Sequence, residues 1–187
     1  MIIILLRGFS NSGKDFVGNI IINQYGYKGF SFADSLKKIV SEKYNINLDL
    51  LYSQEGKKMI YNNDNYNITY RQLLIDEALR LKESDPDIFA KHCCDSINNI
   101  CNPMHINNAM HRIIITDWRF NNELDVLKQN FPHAKIIPVH VIRTNQIKSP
   151  IDDISEYHLM DRKDDITIVN NMDNSIYDNI YYFISKI

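Results

Sequence analysis

The stretch Gly8-Phe9-Ser10-Asn11-Ser12-Gly13-Lys14-Asp15 has the residue types and spacing to hold a chain of phosphates. Gly, any four residues, Gly, Lys is a phosphate-cradling pattern. Its glycines let successive backbone N–H groups turn inward and approach phosphate oxygens without a Cβ in the way. A helix starting near Gly13 adds the positive end of its dipole, and Lys14 supplies a mobile charge for the outer phosphates. Asp15 stands where the pattern expects Ser or Thr against a magnesium ion. A carboxylate there suits holding the metal through water or accepting a bond from the loop. An apolar run, Ile2 to Leu6, leads into the loop, and a helical pattern with Phe16, Val17, Ile20 and Ile21 follows. That context sets the motif apart from a chance surface turn.

Other residues carry chemistry less exclusively. Asp117 ends the buried-type strand Arg112 to Asp117 and suits a second acidic group orienting magnesium or its waters; the alternative is a helix cap. Arg119, two residues on, offers a planar guanidinium for a phosphoryl group whose charge spreads over three oxygens. Glu123 is placed to hold Arg119 through an i,i+4 pair. Arg143 reads equally as a phosphate clamp or a surface charge. Lys37, Arg71 and Arg80 are each solvated charges when taken singly and a second basic cluster for an acceptor phosphate when taken together. His92, Cys93, Cys94, Cys101, His105 and His111 match no zinc spacing. Tyr61, Tyr66 and Tyr70 suit packing better than base stacking.

The elements that must position these groups alternate between strand and helix. After the first helix, to about Tyr25, a short strand runs from Gly29 to Phe32. Asp34 or Ser35 caps a helix bearing Leu36, Ile39 and Val40. Ser53 to Asn67 is polar, rich in Asn and without periodicity, and reads as a mobile connection. The spacing predicts helices over Thr69 to Leu81 and from Asp85-Pro86 onward, with a loop from Asn98 to Ala109. Strands follow at Arg112 to Asp117 and Ala134 to Ile142, the latter interrupted at Pro138 as at a bulge or an edge. Between them Asn121 or Asn122 opens a helix. A last strand, Ile166 to Val169, and a closing helix, Ser175 to Ile187, complete the chain. Continuous apolar strands separated by helices mean an α/β fold with a parallel sheet covered on both faces. Ligands then sit beyond the carboxyl ends of the strands, where Gly8, Asp34, Asp117 and Arg143 fall.

Composition narrows the class. The chain has 187 residues, suits one domain, and is 44% hydrophobic, enough for a core. A net charge of −2 leaves no electrostatic footprint for a nucleic-acid polymer or an anionic membrane. The opening apolar run is too short for a signal-peptide core and lacks a basic leader, and no stretch approaches membrane-spanning length. Three cysteines outside any disulfide framework suit a reducing cytoplasm.

Taken in order, Ser12-Gly13-Lys14-Asp15, Phe32 to Lys37, Thr69 to Leu74, Thr116 to Glu123, Ser155-Glu156 and Val169-Asn170-Asn171 resemble the deoxynucleoside monophosphate kinases of tailed phages and large DNA viruses. The resemblance spans nearly the whole chain, and Gly-Lys-Asp is itself a habit of that family. The animal-type phosphomevalonate kinases look similar too, sharing Ser12 to Phe16 and a run like Asp85 to Phe89. Those enzymes crowd basic residues into the loop where this chain has Phe9, Ser10 and Asn11. The run Asp117 to Glu123 is also nearer the nucleotide enzymes.

The resemblance implies a P-loop NTPase of nucleoside-monophosphate-kinase type over residues 1–187. It would have a five-stranded parallel sheet, an acceptor-binding insertion at about 34–99 and a lid at about 144–160. Gly8, Ser10, Asn11, Ser12, Gly13, Lys14, Asp15 and Phe16 would bind ATP. Asp34, Leu36, Lys37, Arg71, Asp117, Trp118 and Arg119 would bind the acceptor, and Asp15 and Asp117 would hold magnesium, through water. Lys14, Arg119 and Arg143 are the implied catalytic cations. Trp118 is bulkier than expected beside Asp117 and would narrow the acceptor site. Met172-Asp173 stands where Asp-Gly is expected after Asn170, and Lys148 and Arg162 are the chief cations of the lid. The expected activity is transfer of the ATP γ-phosphoryl group to a deoxynucleoside 5′-monophosphate. The setting would be the cytoplasm, that of the host if the protein is viral, and the family is often homodimeric. The competing readings are a phosphomevalonate-type kinase and a non-catalytic nucleotide-binding module. A guanine-specific switch is disfavoured because no Asn-Lys-x-Asp run exists.

Overall fold

The computed structural model describes residues 1–63, 66–101, 111–144, 158–159, 161–163 and 165–187. The chain begins with β1 (Ile2–Arg7), α1 (Lys14–Tyr25), β2 (Lys28–Phe30), α2 (Ala33–Tyr44) and α3 (Leu48–Tyr52). A 3₁₀ turn (Gly56–Lys58) leads to β3 (Ile60–Asn63), β4 (Tyr66–Thr69), α4 (Tyr70–Ser84) and α5 (Ile88–Cys101). Then come β5 (Arg112–Ile115), α6 (Asn121–Asn130), β6 (Lys135–Arg143), β7 (Ile166–Asn170) and α7 (Ser175–Ser185). Two compact units result, one of Met1–Ser31 with Ile97–Ile187 and the other of Phe32–Ser96. Of the expected lid, only Thr144, His158 and Leu159 are described, so Lys148 and Ser155-Glu156 lie outside the described residues, as does His105.

The first unit holds the five-stranded sheet that the apolar runs predict, in the order β2-β5-β1-β6-β7 and parallel throughout. β1 is central, which explains why all six of its residues are buried. Successive side chains of a strand point to opposite faces. Ile2, Ile4 and Leu6 accordingly pack with Val17, Ile20 and Ile21 of α1 and Ile176, Ile180 and Phe183 of α7. Ile3, Leu5, Ile113 and Ile115 are sealed on the other face.

Pro138 makes no bulge in β6 and lies on a locally open edge of it. It pairs with Leu5 in unbroken register, and β7 joins only from Val139 onward. A residue without an N–H is tolerated there because one side of the strand is still unpaired. The short second strand lies at Lys28–Phe30, ahead of the Gly29-to-Phe32 span expected.

In the second unit α2, α3 and α4 bury Leu36, Val40, Leu51, Leu73 and Leu74. Neither Asp34 nor Ser35 caps α2, which begins one residue earlier at Ala33. Thr69 does cap α4, its Oγ1 accepting from Gln72 N at 3.1 Å. The described residues of the Ser53-to-Asn67 stretch hold the 3₁₀ turn and most of the β3–β4 pairing, which sets Tyr61 opposite Ile68. Only a few of its alternating positions are apolar, so a period of two was hidden among asparagines. Asn98 to Cys101 continue α5 where a loop was expected.

Candidate active site

In a parallel sheet all strands end at one rim, and here that rim gathers the ends of β1, β5, β6 and β7. Arg7 pairs with His140, and Arg143 with Asn170. Asp117 lies two residues past the Leu5–Ile115 pair, and Trp118 N donates to Leu6 O at 3.0 Å, so the exit from β5 is tied to β1 at the same level.

Between β1 and α1 the chain makes a loop whose carbonyls are turned outward onto donors. Phe9 O accepts from Ser12 N at 3.1 Å and from Lys14 Nζ at 3.3 Å. Asn11 O accepts from Arg143 Nη1 at 3.4 Å, and Ser12 O from Asn170 Nδ2 at 3.1 Å. Gly13 O takes Val17 N at 3.0 Å as α1 begins. In a planar trans peptide the N–H of the next residue points opposite to the carbonyl. The N–H groups of Gly13 and Lys14 therefore face away from these donors, toward the start of the helix dipole. Two glycines permit this path. A Cβ on Gly8 would stand 2.4 Å from Val141 O, and one on Gly13 only 2.2 Å from Asn170 Nδ2, with Gly13 already at φ +93°. The Ser12 hydroxyl is buried against this turn with no hydrogen-bond partner among the described residues. Such an orphaned polar atom, beside a cradle that a Cβ would fill, fits a loop shaped around an anionic ligand.

Asp117 is half-buried and its Oδ2 accepts from Ser31 Oγ at 2.6 Å, at the end of β2. Arg119 is fixed through its backbone: Glu123 Oε2 accepts from Arg119 N at 2.9 Å and from Phe120 N at 3.0 Å. The carboxylate thereby serves the N-terminus of α6, where an anion is favoured. Trp118 requires a correction. Its ring is 2% exposed and its Nε1 donates to Phe120 O at 2.7 Å, so it is core and presents no surface to an acceptor.

Asp34, Leu36, Lys37 and Arg71 belong to the second unit. Lys37 lies 3.5 Å from Asp34 and 3.9 Å over the Tyr52 ring, whose hydroxyl donates to Asp34 at 2.9 Å. Arg71 donates to Gln54 at 3.0 Å, and Leu36 is buried. Arg80 does not join a basic cluster for an acceptor. It pairs at 2.5 Å with Glu77, a carboxylate that also takes Lys43 at 2.8 Å. Tyr61 packs edge-on against Tyr44 at 5.4 Å.

No family model matches the chain. A protein of Acanthamoeba polyphaga mimivirus, described as "Putative deoxynucleotide monophosphate kinase", is 26% identical over 190 residues, covering 91% of this chain and 89% of its own. The chain is similar to a viral nucleotide kinase. Among solved structures, the dephospho-CoA kinase of Campylobacter jejuni has a TM-score of 0.45 at 16% identity, covering 98% of this chain and 96% of that one. The APS kinase of Mycobacterium tuberculosis has a TM-score of 0.45 at 10% identity, covering 98% and 94%. Both scores are too low to assign a fold, which rests on the strand order and the loop after β1.

A buried polar group behind the loop escaped the sequence reading. Arg7, 6% exposed, pairs through Nε with Asp165 and donates from Nη2 to Arg162 O at 3.0 Å. Arg162 returns to Asp165 at 3.0 Å and lies 4.9 Å over the Trp118 ring. Burial, then the Arg7 charge, hold the neighbouring His140 down to about 4. The signal available was one cation closing an otherwise apolar strand. In the sequence Asn170 stands only within the matching run Val169-Asn170-Asn171 and before the departing Met172-Asp173, yet it bonds the loop directly.

Among the described residues no three His, Cys, Asp or Glu side chains gather as a metal site. Magnesium needs no such cage, because it keeps its waters and binds one or two carboxylates together with substrate phosphates. Asp15, exposed in the first turn of α1, and Asp117 suit that role.

Proposed function

We propose that this protein transfers the γ-phosphoryl group of ATP to the 5′-phosphate of a deoxynucleoside monophosphate, giving ADP and the diphosphate. One observation supports the donor half best: the loop carbonyls are occupied by Arg143, Asn170 and the loop's own donors, so the amides opening α1 face the other way. The similarity to the mimivirus protein favours the nucleotide as acceptor.

In this reading the backbone from Ser10 to Asp15 and the Lys14 ammonium hold the donor phosphates. Lys14 leaves the Phe9 carbonyl for a phosphate oxygen, and Phe16 lies beside the donor. Arg119 binds the acceptor phosphate, and Arg143 counters charge developing on the transferred group. Asp34, Leu36, Lys37 and Arg71 are assigned to the acceptor from the sequence pattern. An acceptor oxygen, ionised at neutral pH, forms a bond to the γ-phosphorus as the bond to the bridging oxygen of ADP breaks. No general base is needed, so catalysis is positioning plus electrostatics. Magnesium, held by Asp15 and Asp117 through water, would supply charge neutralisation between the outer phosphates. Among the described residues no helix is long and apolar enough to cross a membrane; we place the activity in the cytoplasm.

The test is ADP release over a panel of deoxynucleoside and nucleoside monophosphates with phosphomevalonate as a further acceptor. Stimulation by a deoxynucleoside monophosphate is expected. Stimulation by phosphomevalonate alone, or by nothing in the panel, overturns the reading.

A further inference from the structure

We infer that Asn170 is a positioning residue of the phosphate loop, acting by holding the Ser12 carbonyl outward so that the Gly13 N–H faces the nucleotide. The inference rests on the donor role proposed above. Asn170 closes β7 and is 4% exposed. Both ends of its amide are engaged: Nδ2 donates to Ser12 O at 3.1 Å, and Oδ1 accepts from Met172 N at 3.1 Å. The orientation of the amide is thereby determined, since exchanging its N and O would oppose two acceptors and two donors.

The residue has little freedom to drift. Its own carbonyl accepts from Thr144 N at 3.2 Å, and the preceding carbonyl, Val169 O, accepts from Asn179 Nδ2 at 2.9 Å. Met172 adopts φ +65°, a turn that brings its N–H back to Asn170. The opposing surface is just as constrained. A Cβ on Gly13 would meet Asn170 Nδ2 at 2.2 Å, so with the amide in place only glycine fits at 13. The Ser12–Gly13 peptide has one carbonyl and one N–H on opposite edges, and whichever group pins the first aims the second.

An aspartate is isosteric with asparagine and could still accept from Met172, but ionised it would set an oxygen against Ser12 O. Protonated, it could donate there as the amide does. This gives a signature that loss of packing alone does not. Calorimetric titration with magnesium-ATP is compared for the wild type, Asn170→Asp, Asn170→Ala and Lys14→Ala, from about pH 8 to about pH 5. Relative to wild type at each pH, Asn170→Asp should bind about tenfold more weakly near pH 8, with the gap closing toward pH 5 because burial against the Ser12 carbonyl favours the protonated carboxyl. Asn170→Ala should bind more weakly throughout.

Wild-type affinity in either Asn170 variant at pH 8 overturns the inference, as does a loss in Asn170→Asp that persists unchanged at low pH. If Asn170→Asp does not fold, Asn170→Ala decides by its affinity alone. If the wild type binds no ATP, or Lys14→Ala binds as tightly, the donor reading fails first and this inference with it.

Discussion

Glu123 holds Arg119 by the backbone: its Oε2 accepts from Arg119 N at 2.9 Å. Because the carboxylate is buried and also takes Phe120 N, removing it both uncaps α6 and releases the segment that follows Asp117. Glu123→Ala should cost about 1 to 2 kcal/mol in urea unfolding. It should also raise the KM for the acceptor more than that for ATP.

Lys14 rests on the Phe9 carbonyl at 3.3 Å, a bond easily exchanged for a phosphate oxygen. Lys14→Ala should lower kcat by about a hundredfold or more, with thermal unfolding nearly unchanged. Near wild-type turnover would remove the donor assignment.

Glu77 is 3% exposed, and the Arg80 guanidinium, followed by Lys43, holds its carboxyl down to about 2 against the cost of burial. A carboxyl depressed in the folded state contributes stability above its unfolded pKa, and that stability is lost as pH falls from the ordinary 4.5 toward 2. Glu77→Gln should cost about 2 kcal/mol at neutral pH and flatten the acid limb of the melting-temperature profile.

His140 titrates in a different window. Held neutral down to about 4 where the unfolded side chain titrates at 6.5, it makes the unfolded state the better proton binder between those values. Stability should therefore decline as pH drops from 6.5 toward 4, earlier than the Glu77 limb. Replacing His140 by Asn should remove that shoulder in chemical unfolding followed across the same pH range.

Much of this protein is legible along the chain because the information is local. Ile2 to Leu6 read as a doubly covered strand since every side chain is apolar, and Gly8 to Lys14 read as a phosphate loop since glycine spacing between a strand and a helix carries it. Hidden features were those in which one residue meets another far away. Trp118 looks like a site residue beside Asp117, but folding turns its ring into the core beneath Arg162. The pairing of Arg80 with Glu77 is the exception, a local i,i+3 contact that helical spacing already offers. Asn170 is separated from Ser12 by 158 positions, and no local pattern announces that its amide will meet that carbonyl. Sequence determined which backbone could cradle phosphates, because glycine spacing and apolar periodicity act within a few residues. Only tertiary structure decided which side chains hold that cradle open, because a hydrogen bond depends on where strands β1 and β7 end in the sheet.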